Sequence, residues 1–174
     1  QAMRNKFYII LLVLGFSLSN GFSQTWSIAV HGGAGNMKPD NFTTEQLNEY
    51  EQEMNKALSI GVEILKSGGT SLDAVEQVVR YLEDCPLFNA GKGAVFTHEG
   101  RNELDAAMMD GKTLSAGAVA GVTNVKNPIS LARKVMENSP HVMLTGKGAS
   151  EFAKENSIEL VDSSYFYTPH RWND

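Results

Sequence analysis

Residues 82–111 read LEDCPLFNAGKGAVFTHEGRNELDAAMMDG, and the middle of this stretch suits neither a helix nor a free linker. Pro86, Asn89, Gly91 and Gly93 crowd too many helix breakers into eight positions. Leu87, Phe88, Ala90, Ala94, Val95 and Phe96 make the same stretch too apolar for a solvated tether. An ordered loop with its backbone held in one shape is expected here. The flanking sequence must then supply both the scaffold and whatever holds the loop.

Upstream, Thr43 and Gln46 have the spacing of a capping box. Leu47, Tyr50, Met54, Ala57, Gly61 and Leu65 follow as the stripe of an amphipathic helix, closed by Lys66 and Gly68-Gly69. A second helix is expected from Ser71, with Leu72, Val75, Val78, Val79 and Leu82 on its apolar face. It must stop before Pro86, because proline disfavours a helical conformation at the preceding Cys85. Ahead of both helices, residues 26–30 fit a buried strand that ends in His31-Gly32-Gly33-Ala34-Gly35. Three glycines there require positive φ or a close approach by another group. A plain strand-end turn and an active-site loop are both compatible, and the spacing matches no phosphate-binding motif.

Downstream, residues 94–97 are expected as a short strand, 98–101 as a turn and 104–110 as a second strand, with Asp110-Gly111 signalling a hairpin. Residues 116–125 form a strand of small side chains, which lets another layer approach closely. Asn127 and Pro128 suit the N-cap and first position of a third helix, whose face is Ile129, Ala132, Val135 and Met136. A strand at 141–145 and a short helix near 149–154 complete the pattern. The run Thr145-Gly146-Lys147-Gly148 lacks the upstream glycine of a P-loop and is expected as a loop. Strands in a block flanked by helices predict a layered α+β domain, not a doubly wound sheet. Alone, such a domain would leave a sheet face or edge open, which predicts a partner segment.

A chain of 174 residues with net charge −5 has no cluster of Lys and Arg for a nucleic acid partner. One cysteine makes no internal disulfide, and four scattered histidines make a zinc site unexpected. Residues 1–24 are set apart. Gln1 and Ala2 precede the first methionine as a foreign remnant; Arg4, Lys6 and an apolar run then give the layout of a signal peptide, too short for a permanent membrane anchor. The mature domain is expected over 25–161, outside the cytoplasm, and 162–174 as a mobile linker.

The residues that carry chemistry do not add up to a catalytic set. Asp105 and Asp110 lie five apart and point to opposite faces of a straight strand, so a turn cap is the better role for Asp110. Cys85 has no neighbouring base in sequence to activate it as a nucleophile. His31, Glu103 and Asn89 are the other candidates, and the amide of Asn89 would serve equally to stabilise a turn.

At these residues the chain resembles the plant-type asparaginase/isoaspartyl peptidase family of N-terminal nucleophile hydrolases. The resemblance is carried by His31-Gly32-Gly33-Ala34-Gly35, the LEDCPLFNAGKG loop, Glu103-Leu104-Asp105-Ala106, Met109-Asp110-Gly111, Gly117-Ala118-Val119 and Asn127-Pro128-Ile129. It implies an αββα sandwich of which this chain is the N-terminal α half. It also implies a self-cleaving precursor whose nucleophilic threonine opens a β chain beyond Asp174, so that no catalytic residue lies in this chain. The working form implied is an (αβ)2 assembly acting on L-asparagine or β-aspartyl dipeptides, without an organic cofactor. By the same resemblance, Asn89 would hold the nucleophile, and Gly32 and Gly33 would pack beside it. The backbone carbonyls of Leu82, Glu83, Cys85, Phe88, Ala90 and Lys92 would surround a sodium ion. The glycosylasparaginases share part of the pattern and are the alternative enzyme. A non-catalytic exported binding domain is the alternative from a different class.

Overall fold

The computed structural model describes residues 25–34 and 41–173, so the signal-peptide expectation and Gly35 lie outside the described residues. Helix α1, Thr44–Lys66, begins where expected, with Thr43 Oγ1 accepting from the Gln46 amide at 3.2 Å and Gln46 Oε1 accepting from the Thr43 amide at 2.8 Å. Gly61 is where three segments meet. A Cβ there would strike Ile28 and come within 2.9 Å of Val78, so glycine sets the closeness of α1 to its neighbours.

Helix α2, Ser71–Asp84, has its own capping box from Thr70 and Asp73 and ends at Cys85 in an extended conformation, before Pro86. Its inner stripe is Ala74, Val78 and Leu82, four residues apart, which turns Val75 outward to 44 % exposure against expectation. Residues 26–30 form no strand. Ile28 and Val30 pack against the Ala57–Phe88 core cluster while Trp26, Ser27 and Ala29 are exposed. Among the described residues no strand pairs with them, and a strand without a neighbour has no ladder to hold it.

After α2 the chain curls through a 3-10 turn at Gly91–Gly93. Residues 94–97 are extended but join no sheet. Two asparagines occupy their backbone groups: Asn102 Nδ2 donates to Ala94 O at 2.9 Å and Val95 O at 3.1 Å, and Val95 N donates to Asn89 Oδ1 at 3.0 Å. Those groups are therefore satisfied without a neighbouring strand.

Among the described residues the sheet has the order β1-β2-β3. Strand β1, Leu104–Met109, runs antiparallel to β2, Ala116–Val122, and β2 runs parallel to β3, Met143–Thr145. The β1–β2 hairpin forms as expected, but around a longer loop that Asp110 organises. Its Oδ1 accepts from the Lys112 amide at 2.9 Å and its Oδ2 from the Thr113 hydroxyl at 2.7 Å. At the other end of β1 the register shifts, and Asp105 Oδ1 accepts from Gly121 N at 2.8 Å, with Gly121 at φ +62. This is the geometry of a bulge.

Helices α3, Pro128–Asn138, and α4, Gly146–Glu155, cover one face of the sheet. Gly117 makes the close approach that small residues predict, since a Cβ there would fall on Ala132 O in α3. Leu104, Val119, Val122, Leu131, Val135 and Phe166 fill the core between them. The opposite face keeps Asp105, Ala107 and Met109 exposed, the open sheet face expected of such a domain.

The expected linker is instead seated on the domain. Ser163–Phe166 forms a 3-10 turn with Phe166 fully buried, and Pro169–Asn173 forms the short helix α5. Burial of the whole Phe166 side chain offsets part of the entropy lost by ordering the tail. The observed class is α+β.

Candidate functional site

The curled loop and the glycine turn come together. His31, Gly32, Gly33, Phe88, Asn89 and Arg171 line one cleft of about 1000 Å3 between α1, the loop and the tail. Gly32 is packed tightly, for a Cβ there would sit 3.0 Å from Met54 Sδ and 3.2 Å from Phe88 Cε1. Gly33 has φ +118, a conformation that favours glycine, and its amide donates to His31 Nδ1 at 3.1 Å. The sequence-predicted residues Gly32, Gly33 and Asn89 are thus brought to one place.

Asn89 is exposed to that cleft, and its orientation is fixed by one contact. Val95 N donates to Oδ1 at 3.0 Å, and a backbone N–H admits only the oxygen there. The Nδ2 group has no acceptor among the described residues, so Asn89 offers the cleft a donor. The turn-stabilising role and the site-facing role belong to opposite ends of the same amide.

The loop's backbone tests the expected cation site. A Cβ on Gly91, at φ +48, would fall on Glu83 O; one on Gly93 would fall on Phe88 O and come within 2.6 Å of Pro86 O. Carbonyl oxygens of Glu83, Pro86 and Phe88, all from the limb that enters the loop, are therefore packed against the Gly91–Gly93 turn. Hard oxygens on a curled, glycine-tolerant backbone suit a hard monovalent cation. Among the described residues no three His, Cys, Asp or Glu side chains cluster as ligands. An ion here would be held by main-chain oxygen.

Sequence reasoning treated Glu83 only as a backbone donor of oxygen, yet its side chain joins the two cores. Glu83 is 3 % exposed, and Oε1 accepts from the Ile129 amide at 2.9 Å at the start of α3. Oε2 has no partner among the described residues. Burial pushes the Glu83 carboxyl up to about 8, against the opposing pull of the Ile129 amide. Asn127, expected as an N-cap, makes no side-chain cap bond. Its Nδ2 donates instead to Asp84 Oδ1 at 3.1 Å, so the pair Glu83-Asp84 anchors the start of α3 from outside the helix.

Other candidates lie elsewhere. Asp105 and Asp110 serve the bulge and the hairpin loop, and Glu103 lies 3.5 Å from Arg101 on the surface. Cys85 is buried, with Sγ 3.9 Å from Glu53 Oε2, and burial followed by the nearby Glu53 charge raises its thiol. That setting suits a structural cysteine. Sequence reasoning missed Arg171. Nothing in the sequence marks these two contacts, because their acceptors are main-chain oxygens: Nε donates to Gly93 O at 2.9 Å and Nη2 to Leu87 O at 3.0 Å.

The fold and the cleft define an α+β module that presents one oriented amide donor and a carbonyl-lined loop. The chain belongs to the asparaginase family, whose model matches residues 24–174. It is 49 % identical over 146 residues to a putative isoaspartyl peptidase/L-asparaginase of Dictyostelium discoideum, covering 84 % of this chain and 42 % of the relative. It is 48 % identical over 145 residues to an isoaspartyl peptidase of Escherichia coli, covering 83 % and 45 %. It is also 52 % identical over 148 residues to a plant-type L-asparaginase of Pyrococcus furiosus, covering 85 % and 47 %. The chain thus spans less than half the length of these relatives, and the expected family resemblance is borne out.

Proposed function

We propose that this chain is the α half of a self-cleaving amidohydrolase that acts on L-asparagine and β-aspartyl dipeptides. A β chain from the same precursor would complete an αββα sandwich and an (αβ)2 assembly. The open face of β1 and the segment 26–30, unpaired among the described residues, support a further layer. The charged start and apolar run of residues 1–24 support export from the cytoplasm.

The observation that carries the proposal is the fixed amide of Asn89 beside Gly32 and Gly33. In the proposed reaction a threonine at the start of the β chain supplies the nucleophile. A hydroxyl is weakly nucleophilic at neutral pH, and the free α-amino group of the same residue, with pKa near 8, takes its proton. The oxygen attacks the side-chain or isopeptide carbonyl and forms a C–O bond. The C–N bond then breaks, and the proton leaves with the ammonia or amine. Water hydrolyses the resulting ester. Asn89 Nδ2 donates toward the hydroxyl oxygen and holds it in line, leaving the amine lone pair free to take the proton. Gly32, packed against Phe88 and Met54, adds no side chain of its own to the cleft. The carbonyls of Leu82, Glu83, Cys85, Phe88, Ala90 and Lys92 would hold sodium, whose charge would keep the loop curled.

Expression of the whole precursor tests this. Cleavage should yield a second chain beginning with threonine, and the product should release ammonia from asparagine and free β-aspartyl residues from dipeptides. A precursor without a threonine-led second chain sinks the enzyme reading. Release of sugar from glycosylated asparagine in place of ammonia from free asparagine would move the chain to the glycosylasparaginases.

A further inference from the structure

We propose that Arg171 is a positioning residue for the Asn89 loop, acting from the tail through the carbonyls of Leu87 and Gly93. The proposal rests on the reading of Asn89 given above. Leu87 and Gly93 bracket Asn89 in the sequence, and one guanidinium reaches both, from Nη2 at 3.0 Å and Nε at 2.9 Å. Charge-assisted bonds from a rigid planar fork fix two acceptors relative to each other. Here the two acceptors are the ends of the loop.

Three further observations make this a clamp and not a passing surface contact. Leu87 O also accepts from Tyr50 Oη at 3.2 Å, so α1 and the tail hold this carbonyl together. A carbonyl oxygen has two lone pairs, and these two donors occupy both. The tail is itself anchored. Phe166 is fully buried, Tyr165 Oη donates to Asp84 Oδ1 at 3.1 Å, and Lys92 Nζ lies 5.3 Å from the centre of the Tyr165 ring. Finally, Leu87 and Gly93 are not among the carbonyls proposed for sodium. Arg171 and an ion would hold different oxygens of the 82–93 stretch, the guanidinium those of Leu87 and Gly93 and the ion those of the other named residues.

The chain of effects is short. Gly93 N donates to Ala90 O at 3.0 Å, Ala94 N to Gly91 O at 3.1 Å, and Val95 N to Asn89 Oδ1 at 3.0 Å. Freeing Gly93 O loosens the turn that these bonds close. Val95 N then no longer holds the Asn89 amide in one orientation.

The test is hydrogen exchange together with steady-state kinetics on the self-cleaved full-length protein, comparing wild type, Arg171→Ala, Arg171→Lys and Asn89→Ala. Arg171→Ala should speed exchange of the Gly93, Ala94 and Val95 amides by about 10-fold or more while amides in α3 stay protected. Turnover should fall by about 10-fold with KM within about 2-fold, because orientation and not ground-state binding is lost. Arg171→Lys, which keeps the charge but not the fork, should fall between. Phe166→Leu, which destabilises the tail without touching Leu87 or Gly93, is the control for general loosening. Unchanged exchange at Gly93–Val95 in Arg171→Ala overturns the clamp. Equal turnover losses in Arg171→Ala and Phe166→Leu at matched stability overturn the positioning role. Wild-type turnover in Asn89→Ala overturns the site reading instead, and leaves the exchange result to decide the clamp by itself.

Discussion

Glu83 Oε1 accepts from the Ile129 amide at 2.9 Å, so a carboxyl at the end of α2 closes the first turn of α3. The bond links α2, which carries Val78 and Leu82 of one hydrophobic cluster, to α3, which carries Leu131 and Val135 of the other. Glu83→Ala should cost about 2–4 kcal/mol, since it leaves a buried N–H unsatisfied and a cavity beside it. Glu83→Gln keeps the acceptor and should cost no more than about 1 kcal/mol. Urea denaturation of the two variants decides the matter; equal losses would mean the Ile129 bond does not matter to stability.

Asn89 separates turn and site by which end of its amide is removed. Asn89→Asp keeps the oxygen for Val95 N but loses the donor. It should retain stability within about 1 kcal/mol and lose about 100-fold in turnover. Asn89→Ala should lose both. The measurement is ammonia release from asparagine alongside thermal melting of the cleaved protein. Full turnover in Asn89→Asp would show that the donor has no role.

Gly93→Ala probes the loop. The added Cβ would fall on Phe88 O and approach Pro86 O to 2.6 Å, so the carbonyls must spread. The expected cost is about 1–3 kcal/mol. In the wild type, replacing sodium by a bulky organic cation should lower the melting temperature, and Gly93→Ala should blunt that response. A melting temperature indifferent to sodium in the wild type counts against the ion.

Arg133 ties α2 to α3 through Asp73 at 2.7 Å, Glu76 at 2.8 Å and its own helix neighbour Glu137 at 2.8 Å. The Thr70 hydroxyl first, and then Arg133, hold the Asp73 carboxyl below its ordinary 3.8. The folded group therefore releases its proton more readily than the unfolded one. Its contribution is full above the ordinary value and is lost as pH falls through the lower folded value. Arg133→Met should cost about 1 kcal/mol at neutral pH and flatten part of the acid limb. A denaturation series from pH 6 to pH 2 checks both; parallel acid limbs would remove Arg133 from the account.

The helices were legible because their signals are local. Thr43 with Gln46, Thr70 with Asp73, and Pro86 after Cys85 act within four residues, where propensity and capping decide the outcome. The loop was legible as ordered for a similar reason, since a side chain at Gly91 or Gly93 would strike the loop's own carbonyls. Residues 26–30 and 94–97 join no sheet among the described residues, because a strand needs a neighbour and an apolar run does not say where that neighbour lies.

The sequence by itself determined the α+β order, both capping boxes, the hairpin, and the gathering of Gly32, Gly33 and Asn89 as candidates. Only the tertiary structure decided that Asn89 offers its nitrogen, that Glu83 caps a helix not its own, and that Arg171 grips Leu87 and Gly93. Each of these depends on a main-chain group six or more residues away. Main-chain amides and carbonyls are the same at every residue type but proline. No side-chain pattern can announce which of them a distant donor or acceptor will meet until the chain is folded.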